Sequence, residues 1–401
     1  MKVLQINSVS GVGSTGRITS DIHNILVDHG HESYIAYGRK STENIDNLIK
    51  IGSRYENYLH VASTRVFDNH GFGSSKATRE FIKSIENINP DLIHLHNIHG
   101  YYINVKILFN YLKKANKRVI WTLHDCWPFT GHCAYFDFIG CDKWKTQCNS
   151  CPEKNSYPSS LFLDNSKRNY LNKKEIFTGV KDLTIVTPSK WLASLVKESL
   201  LGQYPIKVIN NGIDTETFKV EKSDFRKKFN IEDKYVILGV ASAWDRRKGL
   251  RYFYELSNNL KKDEVIVLVG LTEKQIEGLP KNIIGISRTN NVKELVQIYS
   301  ASDVFVNPTL EDNFPTTNLE ALACGIPVIT FNTGGSVESI DTDTGIITEK
   351  GDVRKLENGI QKIKKVGKEF YSDSCMKRAK EFFNKNDRYL EYMKLYKELV
   401  D

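Results

Sequence analysis

The sequence predicts an α/β protein of two domains with parallel sheets, and three observations predict it. Short apolar runs alternate with helical patterns in both halves of the chain. Several of those runs lack polar alternation, as strands covered on both faces do. The 401 residues, 40% hydrophobic and 26% charged, suffice for two cores of ordinary globular type.

In the first half, KVLQINSV (2–9), SYIAYG (33–38), LIHLHN (92–97), RVIWTLH (118–124) and LTIVTPS (183–189) read as strands. In the second half YVILGVAS (235–242), VIVLVG (265–270), NIIGISR (282–288), VFVNPT (304–309) and PVITFN (327–332) do the same. A helix over SKWLASLVKESL (189–200) closes the first half, so the boundary falls between Leu201 and Ile206. The expected domains are therefore 1–203 and 204–376. A last helix from about Lys377 to 401 carries Phe382, Tyr389, Tyr392, Met393 and Tyr396 at helical spacing, as packing residues.

No apolar run reaches the roughly 18–20 residues that span a bilayer. The opening MKVLQINSV lacks the apolar core and cleavage site of a signal peptide. A cytoplasmic protein is expected. The formal charge of +8 favours anionic partners, whether phosphates, nucleic acid or a membrane surface, without choosing among them. Lys106, Lys113, Lys114, Lys117 and Arg118, on or beside one predicted helix, read as a solvated face, with membrane-surface attachment as the alternative.

Val304–Glu338 is the most informative stretch: strand, acid-bearing loop, short helix, strand and Gly-Gly turn. Asp312 belongs to the loop and Glu320 to the helix, which should stop near Cys324-Gly325. Helix N-termini and Gly-rich turns bind phosphate through free N–H groups, and a nearby carboxylate accepts hydrogen bonds from sugar hydroxyls. That combination suits a sugar nucleotide. Arg246-Arg247-Lys248-Gly249 follows the first strand of the second half, where cations can neutralise a diphosphate. Asp341-Thr342-Asp343 reads as a turn rather than a metal motif.

Gly11-Val12-Gly13-Ser14-Thr15-Gly16 matches G-x-G-x-x-G between a strand and a helix. The second strand ends in Tyr37-Gly38-Arg39-Lys40 rather than an acid, which disfavours NAD and leaves an NADP-dependent oxidoreductase as one alternative. All ten histidines lie between His23 and His132, so histidine chemistry belongs to the first half. His124 ends a strand, where it can hydrogen-bond a substrate hydroxyl with Asp125 orienting it. His94 and His96 share a strand face beside His99, with no acid partner evident, and read as acceptor-side or structural. Cys133, Cys141, Cys148 and Cys151 stand beside His132 with one knuckle-like C-x2-C pair. Structural zinc, reduced packing thiols and disulfides all stay open, and a four-ligand zinc would be closed to catalysis. A non-catalytic nucleic-acid-binding protein, using basic patches and such a knuckle, is the other alternative.

Together these residues resemble glycosyltransferase family 4, retaining enzymes of the GT-B fold with two Rossmann-like domains around a cleft. Asp312–Gly335 carries the most specific part of the likeness. His124-Asp125, Thr187-Pro188-Ser189-Lys190-Trp191, Asn211-Gly212-Ile213-Asp214 with Phe218, and Lys248-Gly249 agree with it. The run WTLHDCWPFTGHC (121–133) is similar to the subgroup of bacterial exopolysaccharide and capsule clusters. The resemblance implies a UDP- or GDP-sugar donor, no metal for catalysis, no nucleic acid, and a glycan or lipid-linked acceptor at the inner face of the membrane. It implies that Glu320 binds the donor ribose, Lys248 the diphosphate and His124 the transferred sugar. Backbone from Phe314 through Pro315 and Thr316 to Thr317 would hold sugar and phosphate, with Gly13 and Gly16 at the cleft and Arg288 near the base. Two positions depart from the family pattern. Asp312, beside Glu311, replaces a glutamate as the sugar-contacting acid, and Ala243 replaces an arginine whose charge Arg247 or Arg246 would supply.

Overall fold

A computed structural model describes residues 1–42 and 45–400, and the chain forms two units. Unit 1 comprises Met1–Asn210 and Arg388–Asp401, and unit 2 comprises Asn211–Asp387. Asp401, at the end of the expected last helix, lies outside the described residues.

Unit 1 is built on β1 (Lys2–Ser10), β2 (Glu32–Ser41), β3 (Leu48–Lys50), β4 (Leu92–Leu95), β5 (Arg118–Thr122), β6 (Leu183–Thr187) and β7 (Ile206–Val208). They form one seven-stranded sheet in the order β3-β2-β1-β4-β5-β6-β7. Each neighbouring pair is parallel. Successive side chains enter opposite faces, so Val3, Leu92, Ile120 and Val186 belong to one core, and Leu4, Ile93, Trp121 and Ile185 to the other. That two-sided burial is why the strands read as unbroken apolar runs. Because β7 pairs with β6, unit 1 runs to Asn210 instead of stopping at residue 203.

Unit 2 contains β8 (Tyr235–Val240), β9 (Glu264–Val269), β10 (Ile283–Ile286), β11 (Val304–Asn307), β12 (Val328–Phe331) and β13 (Gly345–Thr348). The order is β10-β9-β8-β11-β12-β13, again wholly parallel. In each sheet the winding direction reverses once, between β1 and β4 and between β8 and β11. Open parallel sheets bind ligands beyond the strand carboxyl ends at such reversals.

The expected helix from Lys377 is two pieces. Residues 377–383 finish a unit 2 helix, Glu369–Phe383, held by Arg378 Nε donating to the Ser339 carbonyl at 2.8 Å. Asn384 leaves the helical region at φ −59°, ψ 127°, and a second helix covers Lys385–Val400. From Arg388 onward the chain belongs to unit 1, where Tyr389, Tyr392 and Tyr396 pack on Val3, Leu92, Ile120 and Val186. Among the described residues no helix is long and apolar enough to cross a membrane.

Candidate functional site

In unit 2 three loops meet beyond the reversal. The loop after β8 begins its helix at Gly249, whose φ of +79° and close approach to the Pro308 carbonyl leave no room for a Cβ, which would stand 2.1 Å from that oxygen. This contact locks the loop after β8 to the loop after β11. Arg247 completes the lock: its carbonyl accepts from Leu310 N–H at 2.7 Å, and its Nη1 donates to the Glu311 carbonyl at 2.7 Å. The Gly-Gly turn after β12 closes from the other side, with Gly335 N–H donating to the Asp312 carbonyl at 2.9 Å.

Within that frame Lys248 Nζ lies 2.5 Å from Asp312 Oδ2, and Arg247 Nη1 lies 3.7 Å from the same oxygen. Burial alone would raise the Asp312 carboxyl, yet Lys248, then Arg247, then hydrogen bonds from Lys248 and the Asn313 N–H hold it below its usual value. Arg247 is thus the cation turned to Asp312, whereas Arg246 is exposed. Pro315 precedes the helix Thr316–Ala323, whose N-terminus has neither a side-chain cap nor an acid in its first turn. Its first N–H groups therefore face away from the helix as donors. Phe314 is buried against Phe383, while Thr316 and Thr317 are partly exposed. Cys324 ends the helix and Gly325 follows at φ +71°, as the sequence predicts. Glu320 is buried, and Tyr299 O–H donates to its Oε2 at 3.0 Å. Arg288 is exposed beyond β10, the edge strand, which β9 separates from β8.

In unit 1, Gly11 and Gly13 take positive φ values of 68° and 67°, and Gly11 N–H closes the loop on the Gly16 carbonyl at 3.0 Å. The helix from Gly13 has no side-chain cap, and Gly13 and Ser14 are exposed. Beyond β4 and β5 the histidines form a directed chain. Gln5 Nε2 donates to the Thr19 carbonyl at 3.0 Å, which leaves Gln5 Oε1 as the acceptor 3.2 Å from His96 Nε2. A neutral His96 then carries its proton on Nε2 and offers a lone pair at Nδ1, 3.2 Å from His124 Nε2. His124 must therefore be protonated on Nε2, with Nδ1 left as an acceptor. Burial holds His96 well below its ordinary value and lowers His124 to about 4, so both rings are neutral at pH 7.

Asp125 does not orient His124. Its Oδ2 lies 2.9 Å from His99 Nε2, and its Oδ1 accepts from the Trp127 N–H at 3.0 Å. The orienting group is His96, which the sequence reading left without a partner. His94 is also satisfied, between Tyr396 O–H at 2.6 Å and Thr122 Oγ1 at 2.8 Å.

The structure brings Cys133, Cys141, Cys148 and Cys151 around one small apolar hollow with Phe136 and Trp144. All of them are free thiols, and among the described residues no three His, Cys, Asp or Glu side chains are disposed to hold a metal ion. Of the alternatives left open for these cysteines, the structure shows packed, unpaired thiols: Cys133 and Cys148 belong to the hydrophobic core, with Cys141 and Cys151 packed against it. His132 beside them pairs with Asp68 at 2.5 Å instead of joining a ligand set. Buried Lys173 braces this region from below, donating to the carbonyls of Trp127 at 2.7 Å and Thr130 at 3.0 Å.

Residues 15–217 match the sequence profile described as Glycosyltransferase Family 4, and residues 234–365 the one described as Glycosyl transferases group 1. A putative colanic acid biosynthesis glycosyl transferase, WcaC of Escherichia coli strain K12, is 27% identical over 89% of each chain. A UDP-Gal:alpha-D-GlcNAc-diphosphoundecaprenol alpha-1,3-galactosyltransferase of Escherichia coli is 28% identical over 42% of this chain and 47% of its own. The solved structure of Anabaena Alr3699/HepE in complex with UDP-glucose superposes with a TM-score of 0.69 at 15% identity, covering 99% of this chain and 100% of that one. The two parallel-sheet units are those of the GT-B fold, and the chain belongs to glycosyltransferase family 4.

Proposed function

We propose that this glycosyltransferase moves a sugar from a UDP- or GDP-linked donor to a glycan or lipid-linked glycan in bacterial surface-polysaccharide synthesis, with retention of anomeric configuration. The observation that carries the reading is the convergence of Lys248 and Arg247 on Asp312 beside an uncapped helix N-terminus and Glu320. The names of the two Escherichia coli relatives support the acceptor class, and the UDP-glucose held by the Anabaena protein supports the donor class.

In this reading the diphosphate takes the N–H groups of Thr316 and Thr317 and shares Lys248 with Asp312. Glu320, fixed by Tyr299, accepts from the ribose hydroxyls, and Asp312 accepts from a sugar hydroxyl. Phe314 and Pro315 set the backbone that carries these donors, and Arg288 flanks the base. In unit 1, His124 accepts a sugar hydroxyl at Nδ1, and the loop Gly13–Gly16 approaches the ligand through its backbone. The bond from the anomeric carbon to the phosphate oxygen breaks as the bond to the acceptor oxygen forms on the same face. The acceptor proton passes to the departing diphosphate, whose charge Lys248 and Arg247 stabilise.

Thermal-shift binding against UDP, GDP, ADP, dTDP and NADP tests the donor site. Stabilisation by one nucleoside diphosphate, lost in Glu320→Ala, is expected. Stabilisation by NADP alone, or by none of them, overturns the donor assignment. Proton NMR of the first-formed product reads the anomeric configuration, and an inverted centre overturns retention.

A further inference from the structure

The helix Arg54–Phe67 is built inside out. A helix lying on a domain normally turns its apolar stripe inward. This one buries Asn57, His60 and Thr64, while Tyr55, Tyr58, Leu59 and Val66 are 70, 65, 52 and 37% exposed. At about 100° per residue those four fall within a single sector of the helix surface. The buried polar groups have partners of their own. Asn57 Nδ2 donates to the Gly38 carbonyl at 2.8 Å, and His60 Nε2 accepts from Gly71 and Gly73 N–H, both at 3.2 Å. The inward face therefore holds its polar side chains by hydrogen bonds, and the outward apolar face is exposed.

That face continues off the helix. The Leu161 N–H donates to the Arg65 carbonyl at 2.8 Å and Asn165 Nδ2 to the Phe67 carbonyl at 2.7 Å, which pins the segment 161–165 against the helix end. Leu161, Phe162 and Leu163 are 58, 70 and 48% exposed there, three apolar side chains in a row. Isolated exposed hydrophobics are ordinary, but a contiguous patch of this kind marks an interaction surface.

Its charge points to the partner. Arg54, Lys167 and Arg168 are exposed around the patch. Two carboxylates stand among them, each fixed by backbone: Glu56 caps the helix through the Ser53 N–H at 2.9 Å, and Asp164 accepts from Cys151 and Ser166 N–H at 2.6 and 2.9 Å. The three cations outnumber these acids by one, and the adjacent pair Lys167-Arg168 is the basic edge. Tyrosines with an apolar loop tip and a basic fringe suit the boundary between anionic headgroups and acyl chains. The cationic stretch Lys106–Arg118 suits it less. Its apolar side chains Leu108, Phe109 and Leu112 are buried, Lys113 and Lys117 are hydrogen-bonded to Glu175 and Asn89, and Arg118 pairs with Asp182.

We propose that the face formed by Tyr55, Tyr58, Leu59 and the loop Leu161–Leu163 seats unit 1 on an anionic lipid bilayer. The inference stands apart from the donor reading, since it uses none of the residues placed in that site.

The test is flotation of the full chain with vesicles of equal parts phosphatidylglycerol and phosphatidylcholine, against phosphatidylcholine alone. The wild type floats with the anionic vesicles and falls off as salt is raised. Tyr58→Ser with Phe162→Ser weakens vesicle affinity at least about tenfold, since each loses an inserted aromatic ring. Its melting temperature is unchanged, because both side chains are exposed. Lys167→Glu with Arg168→Glu removes most of the preference for phosphatidylglycerol. Failure of the wild type to float, or equal flotation of Tyr58→Ser with Phe162→Ser, overturns the proposal. A lipid-free dimer that this double variant dissolves would assign the face to a second copy and overturn it as well.

Discussion

Asp312 is ionised in surroundings that burial makes costly for a charge, because Lys248 and Arg247 face it from the adjoining loop. Two consequences attach to single side chains. Lys248→Ala removes the cation nearest that carboxylate, and transfer activity is expected to fall about 100- to 1000-fold, measured as initial rate at saturating donor. Full activity in the variant would remove Lys248 from the reaction. His124 is expected in the tautomer protonated at Nε2, which 15N NMR of histidine-labelled protein reads directly. Gln5→Leu should let the second tautomer appear, since His96 loses the acceptor that fixes its own proton. A wild-type ring protonated at Nδ1 would leave no lone pair for a sugar hydroxyl. At this scale the sequence was legible where chemistry is contiguous, as from Asp312 to Glu320. It was opaque where partners meet across strands. Asp125 follows His124 in the chain, yet its partner is His99, and the group that orients His124 comes from the strand next door.

Among the elements, the segment between β5 and β6 was the least legible from its residues. Four cysteines and a histidine at partly knuckle-like spacing left zinc, packing thiols and disulfides open, because spacing along a chain does not decide among them. Here the thiols pack with Phe136 and Trp144, and the bracing comes from Lys173. Burial lowers the Lys173 ammonium to about 7, and its two carbonyl partners, together with Trp127 beneath it, hold the turn Trp127–Phe129 in place. Lys173→Met would keep the volume and strand both carbonyls in the core. A loss of about 2–4 kcal/mol is expected from urea unfolding, with the cysteines becoming more reactive toward thiol reagents. An unchanged midpoint would mean that solvent reaches those carbonyls. The longer strands, by contrast, were legible to within about three residues, because burial on both faces writes an apolar run, whereas the short edge strands β3, β7 and β13 write none and went unread. The last helix was misjudged at its start, since Asn384 interrupts a pattern whose apolar spacing carries on through the break.

For the molecule as a whole, the ten histidines make acid sensitivity lopsided. Burial lowers His60, His70, His94, His96 and His124 in unit 1, whereas unit 2 has no histidine. A group depressed by folding stabilises above its unfolded value, near 6.5, and loses that contribution as pH falls toward the folded value. For His60, lowered to about 4, the loss amounts to about 3 kcal/mol by the lower end of that window. His132 runs the other way: Asp68 raises it against burial, so its contribution is full below 6.5 and fades as pH rises through the folded value. Calorimetry between pH 7 and 5 should therefore show the unit 1 transition moving down while the unit 2 transition stays. A common shift of both would mean that the units unfold together.

The interruption at Asn384 also sets an order of events during synthesis. Val3, Leu92, Ile120 and Val186 leave the ribosome early, but the tyrosines that cover them, Tyr389, Tyr392 and Tyr396, are translated only after every strand of unit 2. The sheet made first is thus the one finished last. Until then Ile18, Ile22 and Leu26 of the first helix cover only part of that face, and the rest stays open to other apolar surfaces for most of translation.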